Sequence, residues 1–263
     1  MSLGDSYAMG YQPVPDRAPG IYRHGFAYLL AARARQRGYR LTLLNLGCGG
    51  ATVATMTSRP GCAESNRSPG GPTYTDSQLD HAIGYLRRHP GRVRVITVVI
   101  GLNDTGPCWA SPRFMPCMRR TMRSTGDALK RALARLRDAA GPRTSIVGLS
   151  YPAVELGRWL RGTPEARERA RRSVAAFRDI VNPELAEAYR TVGATFVDVT
   201  RATGAYVPLD RTTTLAPYGR LPVAVARVCE LTWYCAKADV HLRDGGHELV
   251  AALIAGALPP APG

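Results

Sequence analysis

The sequence predicts an α/β protein, a flavodoxin-like three-layer α/β/α sandwich around a five-stranded parallel sheet, in a single domain spanning residues 1–263. Three observations lead there. Short apolar runs alternate with amphipathic helical stretches along the chain, the pattern of a parallel sheet with crossover helices. Val93 to Ile100 is largely β-branched, as strands buried on both faces of such a sheet are. Glycine-containing turns follow several of the strand-like runs, and in open α/β sheets ligands gather beyond the carboxyl ends of the strands. No internal repeat or second domain is visible.

In chain order, Met1 to Leu3 run into Gly4-Asp5-Ser6, where a residue without Cβ permits a sharp exit from a strand. Tyr11 to Gly20 is a Pro/Gly-rich surface loop. Phe26 to Arg37 reads as a helix with Phe26, Leu29, Leu30 and Ala34 on one face. Arg40 to Asn45 reads as a buried strand ending in the turn Gly47 to Thr52, and Ser58 to Pro72 as a loop. Asp76 or Ser77 caps a helix through Leu79, Ile83 and Leu86 that ends near Pro90. Val93 to Ile100 then ends at Gly101-Leu102-Asn103-Asp104, and a loop from Cys108 to Cys117 holds Trp109 and Phe114. Met122 to Ala139 is an amphipathic helix, Ser145 to Ser150 a fourth strand and Ala194 to Val199 a fifth. Between the last two, Glu165 to Tyr189 is helical with a break near Asn182-Pro183. Thr200 to Val228 is irregular, and Gly246 to Leu258 closes the chain as a helix.

The net charge is +15, carried almost wholly by arginine, since Lys130 and Lys237 are the only lysines. A surface of that sign can favour anionic lipid or another polyanion. The arginines are scattered through amphipathic helices with few interleaved aromatics and no recognition-helix or zinc-finger pattern, so nucleic acid is not an expected partner. Cys48, Cys62, Cys108, Cys117, Cys229 and Cys235 fall into three local pairs. An even count in short loops points to disulfides and an oxidising, extracellular setting. Six cysteines allow fifteen connectivities; the local ones, 48–62, 108–117 and 229–235, are expected. A zinc site lacks both a C-x-x-C and a histidine at ligand spacing, and no metal or cofactor is expected. No signal peptide is visible, so the chain is read as a mature or truncated form of a secreted protein. No apolar run reaches the roughly 18–20 residues of a membrane span.

Ser6 sits at the tip of the first turn as a possible nucleophile, which needs a base to remove its proton. It is not the G-x-S-x-G elbow, because Ala8 stands where the second glycine would be. Gly50 can offer an unobstructed N–H, and Asn103 a side-chain amide, to a developing oxyanion. Ser6, Gly50 and Asn103 all follow predicted strand ends, so three turns distant in sequence share one rim. Of the five histidines, His24, His81 and His89 read as solvated surface residues, and His247 as a packing or capping residue at the start of the last helix. His241, two residues after Asp239, is the expected base.

Gly4-Asp5-Ser6, Asn45 to Thr52 with Gly50, Gly101 to Asp104, and Asp239-Val240-His241 with Gly246-His247 resemble, in order, the four blocks of the SGNH/GDSL hydrolases. His89 to Thr97 and Val228 to Cys235, with the three cysteine pairs, resemble the secreted actinobacterial lipases, esterases and phospholipases of that family. The resemblance implies Ser6 as nucleophile, His241 as general base and then acid, and an oxyanion hole of the Ser6 N–H, the Gly50 N–H and the Asn103 side chain. The family usually places its acid three residues before the histidine, which is Ala238 here. Asp239, one position later, is expected to orient His241 either through its carboxylate or only through nearby main chain. Asp5 and Asp104 are expected to bond turn N–H groups. The implied activity is cleavage of carboxylic esters through an acyl-enzyme, with lipid or phospholipid acyl esters first and short-chain or carbohydrate acetyl esters second. A monomer acting at an anionic interface is expected. The rival of another class is a non-catalytic, disulfide-stapled protein that binds anionic surfaces.

Overall fold

The computed structural model describes residues 1–13 and 25–261. Most of the loop read between Tyr11 and Gly20, and His24, lie outside the described residues.

Among the described residues four short strands form the parallel sheet in the order β1 (Ser2–Gly4), β2 (Val95–Val99), β3 (Ser145–Leu149), β4 (Thr195–Val197). The register sets Leu3 beside Val98, Thr97 beside Val147, and Gly148 beside Phe196. Every residue of β2 is buried, as its β-branched composition predicts. The strand expected at Arg40–Asn45, second of the five in chain order, is not one. Arg40 and Thr42 are exposed and Leu41, Leu43 and Leu44 only half-buried, so the segment does not lie in the sheet, and its pairing with β1 is a single parallel bridge, Ser2 with Asn45. The contact is shifted toward the carboxyl end, with bonds from the Ser2 N–H to the Leu44 carbonyl and from the Cys48 N–H to the Gly4 carbonyl.

The helices are α1 (Ser6–Met9), α2 (Phe26–Ala34), α3 (Val53–Ser58), α4 (Gln78–Arg88), α5 (Phe114–Ala140), α6 (Pro164–Ala176), α7 (Asn182–Arg190), α8 (Val199–Ala202), α9 (Val223–Leu231), α10 (Tyr234–Lys237) and α11 (Asp244–Ala257). One helical layer packs α5 against α4 and α7, and the other packs α2 against α11. Met118, Met122, Leu129, Leu133 and Leu136 of α5 are fully buried at the helical spacing that makes one apolar stripe. The Ser77 side chain caps α4, accepting the Asp80 N–H at 3.1 Å.

Three further differences from expectation have local causes. α5 starts at Phe114, inside the supposed loop, because Pro116 falls in the first turn, where a helix needs no donor. Phe177–Val181 is a π turn joining α6 to α7, so the helix runs through Asn182-Pro183 without a break. The wider turn makes room for the Pro183 ring, which has no N–H to donate, and the Asn182 N–H closes it on the Phe177 carbonyl. The segment read as irregular holds α8, a hairpin of β5 (Thr212–Leu215) and β6 (Gly219–Pro222), and most of α9.

All three expected disulfides are present, Cys48–Cys62, Cys108–Cys117 and Cys229–Cys235. Among the described residues no helix is long and apolar enough to cross a membrane.

Candidate active site

Gly4 makes the first turn possible. Its φ is +131°, and a Cβ there would stand 1.9 Å from the Val99 carbonyl oxygen. β1 can therefore lie tight against β2 and still release Asp5 and Ser6 at once. Asp5 caps α1, accepting the Tyr7 N–H at 2.9 Å, and leaves Ser6 as the first helical residue.

The histidine arrives from the other end of the chain. After α10, Ala238 takes a left-handed conformation, φ +53°, the only non-glycine residue described with positive φ. That bend turns the following segment back. The Asp239 Oδ1 then accepts the His241 N–H at 2.9 Å and lies 2.8 Å from its Nδ1. With Nδ1–H donated to the carboxylate, Nε2 keeps its lone pair. It faces the Ser6 Oγ at 2.8 Å. The Asp239 carboxylate thus touches both the ring and the main chain of His241. One oxygen serves both ring and main chain, so a D-x-H spacing achieves contact where the family's usual spacing has one more residue.

Burial works against charge on Asp239, but the His241 ring, its N–H and its charge outweigh this and hold the carboxyl below the ordinary range. The His241 carbonyl accepts the Trp233 N–H at 2.9 Å, and Trp233 lies within the Cys229–Cys235 loop. That disulfide thus braces the strip that carries His241.

Gly50 occupies the third position of a turn closed by the Ala51 N–H on the Cys48 carbonyl at 3.1 Å. Its φ of +73° is what such a position requires when φ must be positive. Among the described residues neither the Ser6 N–H nor the Gly50 N–H has an intramolecular acceptor. The Asn103 side-chain nitrogen gives one hydrogen to the Ala51 carbonyl at 2.9 Å, which ties it to the Gly50 turn and leaves its second hydrogen to spare. Ser6, Gly50, Asn103 and His241 line one open cleft of about 430 Å³. Among the described residues no group of three His, Cys, Asp or Glu side chains converges as a metal site would.

The remaining carboxylates and histidines do other work. Asp5 is buried beneath the cleft, where desolvation pushes its carboxyl up to about 6 despite bonds from Tyr151 and the Tyr7 N–H. Asp104 accepts the Val53 N–H at 3.1 Å, so both bond turn or helix-start N–H groups. His247 is wholly buried and its Nδ1 accepts the Phe26 N–H at 3.2 Å, capping α2 rather than its own helix. His89 is exposed and stacks on Tyr85. His81 is half-buried, stacked on Tyr74 and paired with Asp76, rather than simply solvated.

Sequence reasoning missed a tyrosine network under His241. The Tyr7 hydroxyl donates to the Val240 carbonyl at 2.5 Å, and the Tyr151 hydroxyl to the Asp5 Oδ2 at 2.5 Å. Burial pushes both phenols well above their usual range, so each keeps its proton. The Tyr11 ring stands edge-on to His241, centroids 4.5 Å apart. Tyr151 follows the end of β3, so the rule that placed Asn103 on the rim could have found it; Tyr7 carries no such signal.

Among solved structures, the chain is similar to an extracellular lipase from Streptomyces rimosus, 16% identical over 98% of each chain with a TM-score of 0.50. An acetyl xylan esterase from Geobacillus stearothermophilus is 15% identical over 96% of this chain and 90% of its own, with a TM-score of 0.48. No curated protein matches. At 16% identity the likeness to the lipase concerns the fold. The model of the GDSL-like Lipase/Acylhydrolase family, in contrast, matches residues 2–249, from the strand before Ser6 to the helix after His241, and on that extent the chain belongs to this family of ester hydrolases.

Proposed function

We propose that Ser6, His241 and Asp239 form a catalytic triad that cleaves carboxylic esters through an acyl-enzyme. The observation that carries this reading is the run of two 2.8 Å contacts from Ser6 Oγ through the imidazole to the Asp239 carboxylate. Ser6 Oγ attacks the ester carbonyl carbon as its proton passes to His241 Nε2. The tetrahedral oxyanion is held by the Ser6 and Gly50 N–H groups and the Asn103 amide. His241 returns the proton to the leaving alkoxide, which departs as an alcohol. Water then loses a proton to His241 and attacks acyl-Ser6, and His241 returns that proton to the departing Ser6 Oγ as the acid leaves.

Lipid acyl esters are the favoured substrate. Support comes from the resemblance to the secreted actinobacterial branch and from Tyr11, Leu102 and Val240, which give the cleft an apolar wall. A short-chain or carbohydrate acetyl ester is the second reading, favoured by Ser65 and Asn66, polar groups lining the same cleft. Three disulfides in short loops support secretion into an oxidising setting. The test is hydrolysis of p-nitrophenyl esters from acetate to palmitate, beside an anionic phospholipid, by wild type and Ser6→Ala. Loss of turnover in the variant supports the triad, and the chain-length profile separates the two substrate readings. A folded Ser6→Ala with undiminished turnover rejects both.

A further inference from the structure

We propose that an arginine and tryptophan shelf beside the cleft docks the protein onto anionic lipid. The proposal rests on the ester-hydrolase reading and deepens it by naming the surface on which the substrate is met.

The shelf is assembled from segments that also build the site. Trp159 lies in the short 3₁₀ segment Val154–Arg161 that follows β3, and Trp109 in Asn103–Ala110, which begins with the oxyanion-hole asparagine. α6 packs across the first of these. Arg169 joins the two, its guanidinium 2.9 Å from Glu155 and 2.7 Å from the Trp109 carbonyl. The Tyr234 hydroxyl donates to the same Glu155 at 2.7 Å and ties in α10, which leads to Asp239 and His241. The shelf is therefore fixed to the carboxyl-end rim of the sheet, where the cleft opens.

Its outer surface is cationic. The Arg167 and Arg171 guanidiniums lie 5.3 and 5.2 Å from the Trp159 ring centroid, and Arg172 lies 5.4 Å from that of Phe114. All three arginines are exposed. Among the described residues no carboxylate pairs with Arg167 or Arg172, and the partner of Arg171 is the exposed Glu168 at 3.9 Å. Residues 154–176 hold six arginines against three glutamates, and residues 113–123 add four arginines with no acid. Glu155 is already committed to Arg158, Arg169 and Tyr234.

Guanidinium forks suit phosphate oxygens, and tryptophan suits the headgroup level of a bilayer. A nucleic acid would need open aromatic faces for its bases, and here arginines lie over Trp159 and Phe114 while Trp109 packs against the Phe114 ring. The large hydrophobic side chain exposed among the described residues is Val240, at 42%, on the cleft wall beside His241. So little exposed apolar surface makes the attachment electrostatic and salt-sensitive, and leaves Val240 to meet acyl chains at the cleft mouth.

The experiment is co-sedimentation with vesicles of phosphatidylcholine alone or mixed with phosphatidylglycerol, at low and high salt. Arg167→Gln/Arg171→Gln is compared with Arg92→Gln/Arg143→Gln, an equal loss of charge just before β2 and β3, at the opposite end of the sheet. Wild type should bind only the mixed vesicles and release them as salt shortens the screening length. The shelf pair should bind roughly 30-fold more weakly, the effect of removing two basic side chains from an anionic leaflet, and the control pair should bind nearly as wild type. Melting curves check folding, and Arg172→Gln, expected to weaken binding about fivefold, serves if the shelf pair does not fold. Equal loss in shelf and control pairs overturns the proposal, as does equal binding to neutral vesicles. So does a shelf variant that loses heparin binding but keeps the vesicles, which would make the partner a soluble polyanion. Turnover of soluble p-nitrophenyl acetate by wild type is read alongside. Its absence would reject the ester-hydrolase reading while the vesicle result still decides the docking surface.

Discussion

Replacing Asp239 by Asn tests how the one-residue shift toward the histidine is tolerated. The Asp239 oxygen lies 2.8 Å from Nδ1 and 2.9 Å from the main-chain N–H of His241. If the amide oxygen keeps both contacts, the ring keeps its tautomer but the imidazolium formed during attack loses its counter-charge. Over about 4 Å at an effective dielectric near 20, that attraction is worth about 4 kcal/mol, or roughly 10³ in rate. If the amide turns its NH₂ toward Nδ1, the proton moves to Nε2 and the ring cannot accept from Ser6, a loss of about 10⁴. Asp239 does not line the cleft, so the deficit should fall in kcat with KM nearly unchanged. The assay is steady-state hydrolysis of p-nitrophenyl acetate, with melting curves to establish folding. A folded Asp239→Asn within tenfold of wild type would refute the reasoning. His241 would then be oriented by its main chain, through the Tyr7 bond to the Val240 carbonyl and the Trp233 bond to its own.

Asn103→Ala removes one oxyanion donor and should cost roughly 10²–10³ in kcat with the protein folded; near-full activity in the same assay would remove Asn103 from the hole. Asp5 gives stability a definite pH dependence, because its carboxyl is raised from 3.8 to about 6 when folded. The folded chain then holds a proton that the unfolded chain releases, so this contribution is favourable at low pH and is lost as pH rises through about 6. The difference is about 3 kcal/mol. In urea titrations from pH 3.5 to 7, wild type should lose about that much relative to Asp5→Asn, and a flat difference would contradict the burial argument. The Cys48–Cys62 pair closes the longest of the three disulfide loops, with a separation of 14 against 9 and 6. Its removal should cost about 3 kcal/mol and the 6-residue one least; calorimetry of the paired Cys→Ala variants gives the order.

The parts of the site that sequence disclosed were those where chemistry restricts residue type. Gly4 and Gly50 need backbone angles that side chains resist, Ser6 needs a base, and His241 needs a neighbour for Nδ1. The strands at Val95–Val99 and Ser145–Leu149 were legible because they are apolar on both faces. Arg40–Asn45 interrupts its leucines with Arg40 and Thr42, both exposed, and no local pattern encodes that β1 bridges it only at Asn45. The π turn at Phe177–Val181 was hidden for a related reason. Asn182-Pro183 announces a conflict with the α-helix, but whether the chain breaks or widens there is decided by packing on both sides. Tyr151, just past the end of β3, was open to the same strand-end rule as Asn103, but Tyr7 was not, because its partner Val240 lies 233 residues away. No spacing rule reaches that far.

The most direct test of the central claim, that His241 activates Ser6 as the nucleophile, is labelling with a fluorophosphonate followed by peptide mass spectrometry. The account predicts one adduct per chain, on the peptide containing Ser6, and almost none in His241→Ala. An adduct on another residue, or an unlabelled Ser6 in a preparation that turns over esters, would contradict it.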